Sequence, residues 1–229
     1  MEEREPILFC WSGGKDSAMA LHAVLRDARM EVAALLTTVT EGYDRVSMHG
    51  VRRELLQEQA RQIGLPLHEV FIPPECVNPT YEARMEEALQ VHHARGIRKM
   101  AFGDIFLEDL RAYREKNLAR MGMTALFPIW KRGTRELIRS FHADGFRSVA
   151  VCVDSKVLDR SFAGRELDEA FFRDLPAGVD CCGENGEFHT FAFDGPIFKE
   201  PVQFRTGERV ERDGFIFCDL LPEARGVEQ

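Results

Sequence analysis

A pair of adjacent glycines between a buried strand and a helix constrains this chain more than any other stretch. Ile7-Leu8-Phe9-Cys10-Trp11 is apolar and free of turn formers, which reads as a short strand buried on both faces. From Lys15 to Leu25, apolar residues recur at helical spacing among strong helix formers. The connection is Ser12-Gly13-Gly14-Lys15-Asp16-Ser17. Adjacent glycines let backbone amides turn inward as a nest. The helix start adds unpaired N–H groups at the positive end of its dipole. Such a corner binds anions, most naturally phosphate. Ser12 and Ser17 offer hydroxyl donors and Lys15 a positive charge, whereas Asp16 would repel phosphate and suits Mg²⁺ or a helix cap. An ordinary serine-capped corner is the plain alternative, and the complete hexapeptide in strand–turn–helix context favours phosphate over it. Neither a Walker A loop nor G-x-G-x-x-G is present.

At 229 residues, 45% hydrophobic and 30% charged, the chain can pack one large or two modest domains. A net charge of −8 and a pI near 5.5 disfavour electrostatic binding of nucleic acid, tRNA included. No apolar run approaches the ~20 residues of a membrane span, and the acidic start is unlike a signal peptide. The expected compartment is the cytoplasm, with the six cysteines reduced. Cys10 and Cys152 fall in apolar runs and read as core. Cys181-Cys182 lacks metal-ligand spacing and reads as small packed residues near a loop, with a reactive pair as the alternative.

In chain order, a second buried strand covers residues 31–39, and its end at Thr38–Glu41 is a candidate adenine and ribose contact. His49 precedes a helix reaching Ile63 and reads as a cap, a surface residue or a ligand contact. A strand at 67–72, a helix at 79–95 and a strand at 98–103 follow. The last leads through Gly103 into Asp104, which suits Mg²⁺ or ribose as well as a turn. A charged helix at 108–121 carries Arg111 and Arg114 one turn apart, either able to reach phosphate or a carboxylate. Residues 127–130 read as an extended segment closing the first domain. Strand and helix alternate four times, so the N-terminal part is an α/β, Rossmann-like domain with a parallel sheet. Its loops would assemble one nucleotide site from residues 12–17, 38–41 and 103–105.

The second part has a helix at 134–143, a strand at 146–153 and a helix continuing from about 157 through 172. Period-two segments at 188–193, 198–205 and 208–221 follow, with turns at Thr206-Gly207 and Asp213-Gly214. The expected division is 1–130 and 131–229, the latter a smaller α+β domain. Within it stands Gly183-Glu184-Asn185-Gly186-Glu187-Phe188-His189-Thr190. Two carboxylates three residues apart in a glycine-rich loop, followed by His-Thr, can bind Mg²⁺, hold ammonium or act as a base. An acidic surface turn entering a strand is the alternative.

Ser12–Ser17 resembles the PP-loop, S-G-G-x-D-S, of the ATP pyrophosphatase superfamily, whose members cleave ATP between the α- and β-phosphates. With Gly103-Asp104 and Gly183–Thr190 added, the chain from Ile7 to about Glu200 resembles the diphthine–ammonia ligase family. There an N-terminal ATP domain is joined to a smaller domain bearing G-E-G-G-E-[FY]-E-T. The resemblance implies ATP-dependent amidation of a carboxylate, yielding AMP and pyrophosphate.

Asn185 stands where eukaryotic and archaeal members usually have Gly, and His189 where they have Glu. Their acceptor is a modified histidine on an elongation factor, so these departures bear on the acceptor, a small molecule or a protein. The implied roles are a phosphate cradle of Ser12, Gly13, Gly14, Lys15 and Ser17, with Mg²⁺ on Asp16 or Asp104. Ammonia would be guided by Glu184 or Glu187, with His189 as base. The rival readings are a PP-loop enzyme acting on tRNA or a metabolite, and an ATP- or AMP-binding sensor without chemistry. A homo-oligomer is compatible with any of the three.

Overall fold

The computed structural model describes residues 4–46 and 50–223. His49 lies outside them. The elements in order are β1 (Glu5–Cys10), α1 (Lys15–Leu25), β2 (Met30–Thr40), β3 (Arg45–Val46), α2 (Arg53–Ile63), β4 (Leu67–Ile72), α3 (Asn78–His93), β5 (Lys99–Ala101) and α4 (Glu108–Ala119). There follow β6 (Thr124–Leu126), α5 (Thr134–Ala143), β7 (Arg147–Asp154), a 3₁₀ turn (Arg160–Phe162) and α6 (Glu169–Asp174). The chain closes with β8 (Phe188–Asp194), β9 (Phe204–Arg212) and β10 (Phe215–Pro222).

The chain forms two compact units. The first takes residues 4–12, 16–46 and 65–132 of those described. Its sheet runs β4-β2-β1-β5-β6, all parallel, with β3 antiparallel to the end of β2. Ile7, Leu8 and Phe9 on the central strand are fully buried, as an uninterrupted apolar run between two helical layers requires. On one face Leu8, Leu36, Met100 and Phe102 pack with Ala88 and Leu89 of α3 and Leu118 of α4.

The second unit takes residues 13–15, 50–64 and 133–223. Its sheet, β8-β7-β10-β9, is antiparallel throughout. Helix α5 turns Leu137, Ile138 and Phe141 inward, and aromatic rings fill the core: Phe171 meets Phe188 edge-on at 5.4 Å and Phe141 stacks on Phe146 at 5.5 Å. The chain boundary falls at residues 132 and 133, but α2 and Gly13–Lys15 also belong to this unit, which a linear division at 130 does not express.

Local expectations are corrected in three places. Residues 128–130 form a turn, and the closing strand is β6 just upstream. Pro128 has no N–H for a ladder, and Phe127 instead stacks on Phe102 at 5.6 Å. Residues 157–172 are not one helix. The Asp159 side chain caps the 3₁₀ turn by accepting from Ser161 N, and Asp168 caps α6 by accepting from Phe171 N, so two short starts replace one long run. Strand β9 begins only at Phe204, after Pro201, and contains Thr206-Gly207. The single turn is Asp213-Gly214, with φ of 51° and 81°, as a tight hairpin demands.

Candidate active site

In the first unit, parallel register aligns the carboxyl ends of three strands. Cys10 pairs with Leu36, Phe9 with Ala101, and Trp11 N–H donates to the Leu36 carbonyl at 2.8 Å. Ser12 and Gly103-Asp104 therefore follow neighbouring strands at one sheet edge, where open α/β sheets bind ligands, and Thr38 lies within β2 near its carboxyl end. The turn is closed by Ser17, whose hydroxyl accepts Ser12 N–H at 3.3 Å and donates to the Cys10 carbonyl at 3.3 Å. Asp16 lies in the first turn of α1, where the dipole favours its charge.

Gly103 is required by close approach. A Cβ there would lie 2.9 Å from the Cα and N of Ser17, both backbone atoms. This contact brings the residue before Asp104 against the helix start that carries Asp16. Arg114 holds Asp104 from behind, Nε to Oδ2 at 2.7 Å and Nη2 to Oδ1 at 3.2 Å, with its guanidinium 4.4 Å from the Phe102 ring. Arg111 turns away, pairing with Glu115 at 2.8 Å and lying over Phe127 and Trp130. Burial pushes the Cys10 thiol up, as expected of an inert core residue.

In the second unit, Gly13–Lys15 is bonded to β8 and α2. Gly13 has φ of 81°, and its carbonyl accepts from Ala192 N at 2.8 Å and Gln59 Nε2 at 2.9 Å. Gln59, fully buried, also donates to the Ala192 carbonyl at 2.6 Å. Lys15 N–H donates to Thr190 Oγ1 at 3.0 Å. Lys15 Nζ donates to the Cys182 carbonyl and lies 5.5 Å from the centroid of the Phe188 ring. The side chain expected to point at phosphate is thus 2% exposed and directed at the second signature. The two glycine-rich motifs, about 170 residues apart in the chain, meet here.

Glu187 organises the second motif from inside. It accepts Asp180 N at 3.0 Å, Asn185 N at 2.9 Å and Asn185 Nδ2 at 2.8 Å. Burial pushes its carboxyl up, but the hydrogen bonds from Asn185 and the backbone outweigh this and leave it below the ordinary value. A carboxylate so held is a poor base and a good anchor. Asn185, one of the two departures from the family signature, is therefore part of the loop's own scaffold. Asp180 in turn accepts Cys182 N at 2.8 Å and the Thr134 hydroxyl at 2.8 Å.

Phe188 and Thr190 face Lys15, and strand alternation turns His189 to the other face of β8. Glu184 is half-buried in the turn preceding the strand. Two contributors went unread in the sequence, Gln59 and the Cys182 carbonyl. Only Gln59 leaves a trace, as a polar residue in the buried stripe Leu55, Leu56, Gln59, Ala60.

Comparison with known proteins gives a consistent result. The family model for the diphthamide synthase N-terminal domain matches residues 6–125, and that for the C-terminal domain matches residues 133–220. The chain is 25% identical to the diphthine–ammonia ligase of Danio rerio over 224 residues, spanning 87% of this chain and 86% of the relative. The corresponding figures are 24% over 230 residues for the Mus musculus protein, with 91% and 86% covered. For the Homo sapiens protein they are 25% over 231 residues, again with 91% and 86% covered.

Proposed function

Because the chain belongs to the diphthine–ammonia ligase family, we propose that it uses ATP to join ammonia to a carboxylate, releasing AMP and pyrophosphate. One observation carries the reading most: the phosphate-type turn at Gly13–Lys15 is bonded directly to the Gly183–Thr190 motif through Thr190. A nucleotide sensor has no need of that second motif.

The backbone amides at the start of α1, with Ser12 and the Gly13-Gly14 turn, cradle the polyphosphate of ATP. Thr38 takes the nucleoside side. Asp16 and Asp104 would hold Mg²⁺, which when bound neutralises charge on the phosphate oxygens. Lys15 and Gln59 fix the turn's shape, so its donors need no reorganisation as charge develops on the departing pyrophosphate. The acceptor carboxylate attacks the α-phosphorus, and ammonia then displaces AMP from the acyl-adenylate to leave an amide. Glu184 is the carboxylate best placed by its exposure to guide ammonium, Glu187 being committed to the loop. His189, on the face of β8 away from Lys15, is set aside as the base.

The acceptor is a small molecule or a protein, and the acidic chain disfavours tRNA. We place the activity in the cytoplasm. Among the described residues no helix is long and apolar enough to cross a membrane.

The test is to incubate the protein with Mg-ATP and ¹⁵N-ammonium, with and without cell extract, and resolve nucleotides and labelled amides. AMP, pyrophosphate and a ¹⁵N-amide appearing only with extract are expected. Formation of ADP, or tight ATP binding without cleavage, would overturn the reading in favour of other phosphoryl chemistry or a sensor.

A further inference from the structure

We propose that Asp180, Cys181 and Cys182 form a binding site for a thiophilic divalent cation of the zinc and cadmium class. The sequence offers only an adjacent cysteine pair, too few ligands for such a site. Folding supplies the third, because the turn brings one Asp180 oxygen and both sulfurs within 4.8 Å of one another. Donors around a tetrahedral zinc, with Zn–S of about 2.3 Å, are about 3.7 Å apart. Closing the site therefore needs a contraction of only about 1 Å.

The surroundings favour ligation. Asp180 is oriented by Cys182 N–H on Oδ1 and by the Thr134 hydroxyl on Oδ2, each at 2.8 Å, and its own N–H is held by Glu187 at 3.0 Å. Such supporting bonds aim a ligand and raise its affinity. Each carboxylate oxygen keeps a further lone pair for a metal.

Cys182 is buried, and its sulfur lies 3.5 Å from the Thr134 carbonyl. Cys181 is half-buried and lines a solvent-open cleft with Thr134, Arg135, Asp180 and Asn185. A cation enters from that cleft, and solvent completes the fourth position, as in open three-ligand sites. Two thiolates and a carboxylate carry three negative charges against the ion's two. Arg135 in the cleft and Lys15, bonded to the Cys182 carbonyl, offset the excess.

Closure of the two thiols on each other is the poorer outcome. Adjacent Cα atoms across a trans peptide sit about 3.8 Å apart. Disulfides favour about 4.4–6.8 Å.

The test is a titration of the reduced, full-length protein with Cd²⁺, read by the ultraviolet thiolate-to-cadmium charge-transfer band. The expected result is saturation at one equivalent. Cys181→Ser should roughly halve the band and weaken binding by at least about tenfold, while Cys76→Ser leaves both unchanged. Cys181 is half-exposed, so its serine variant keeps the fold, and a far-ultraviolet dichroism spectrum checks this. No band at one equivalent, or a full band surviving in Cys181→Ser, would overturn the proposal.

Discussion

Thr190 Oγ1 accepts the buried Lys15 N–H, and that bond joins the two signatures. In Thr190→Val this bond from a buried donor would be lost, at a cost of about 1–3 kcal/mol. Urea unfolding should show the loss in Thr190→Val and little of it in Thr190→Ser, with ATP cleavage following the same order. Equal midpoints in the two variants would contradict the bond's importance. Lys15→Met removes a charge-assisted bond to the Cys182 carbonyl and should destabilise by about 2 kcal/mol as well as lower turnover. A change confined to turnover would restore Lys15 to the role of a phosphate ligand. Asp16→Asn should behave oppositely, holding its unfolding midpoint while AMP formation falls by about 100-fold or more. Near-normal turnover in that variant would remove Asp16 from the metal and phosphate site.

Among the elements, β4 and α3 are tied by a histidine pair, His68 Nδ1 to His92 Nε2 at 2.7 Å. Burial lowers both pKa values, with Arg95 adding to the effect on His68, and with His68 and Arg95 adding to it on His92. Unfolded histidines take up protons near pH 6.5, while the folded pair stays neutral to lower pH. The unfolded state then binds more protons, so the pair's contribution is present above about pH 6.5 and is lost as the pH falls below it. The unfolding midpoint should drop between about pH 7 and 5, and His92→Gln should flatten the decline. An unchanged slope in the variant would place the sensitivity elsewhere.

The same scale shows what was legible. The parallel sheet could be read because Ile7–Trp11 and Val32–Leu36 are unbroken apolar runs, and the tight strand-to-helix turn because two glycines stand between them. The Gly183–Thr190 motif was visible as chemistry, but its role was not. Glu187 looks like a base in sequence, and only three-dimensional pairing shows its oxygens occupied by Asn185 and Asp180. The capture of Gly13–Lys15 by β8 and Gln59 rests on contacts between distant residues, which no local pattern encodes. Residues 157–172 look like one helix in sequence because two aspartate caps resemble helix interior when only apolar spacing is followed.

For the whole molecule, two family models covering residues 6–125 and 133–220 point to an ATP-dependent ligase, and a net charge of −8 disfavours broad electrostatic binding of RNA. ATP cleavage should accordingly be insensitive to added tRNA, and stimulation by tRNA would reverse that assignment. The central claim is adenylation of a carboxylate before ammonia arrives. It is tested most directly by exchange of labelled pyrophosphate into ATP, with acceptor-containing extract present and ammonium removed. The account predicts exchange that requires the extract and proceeds without ammonium. Exchange that appears only when ammonium is added, or none under conditions where AMP forms, would contradict it.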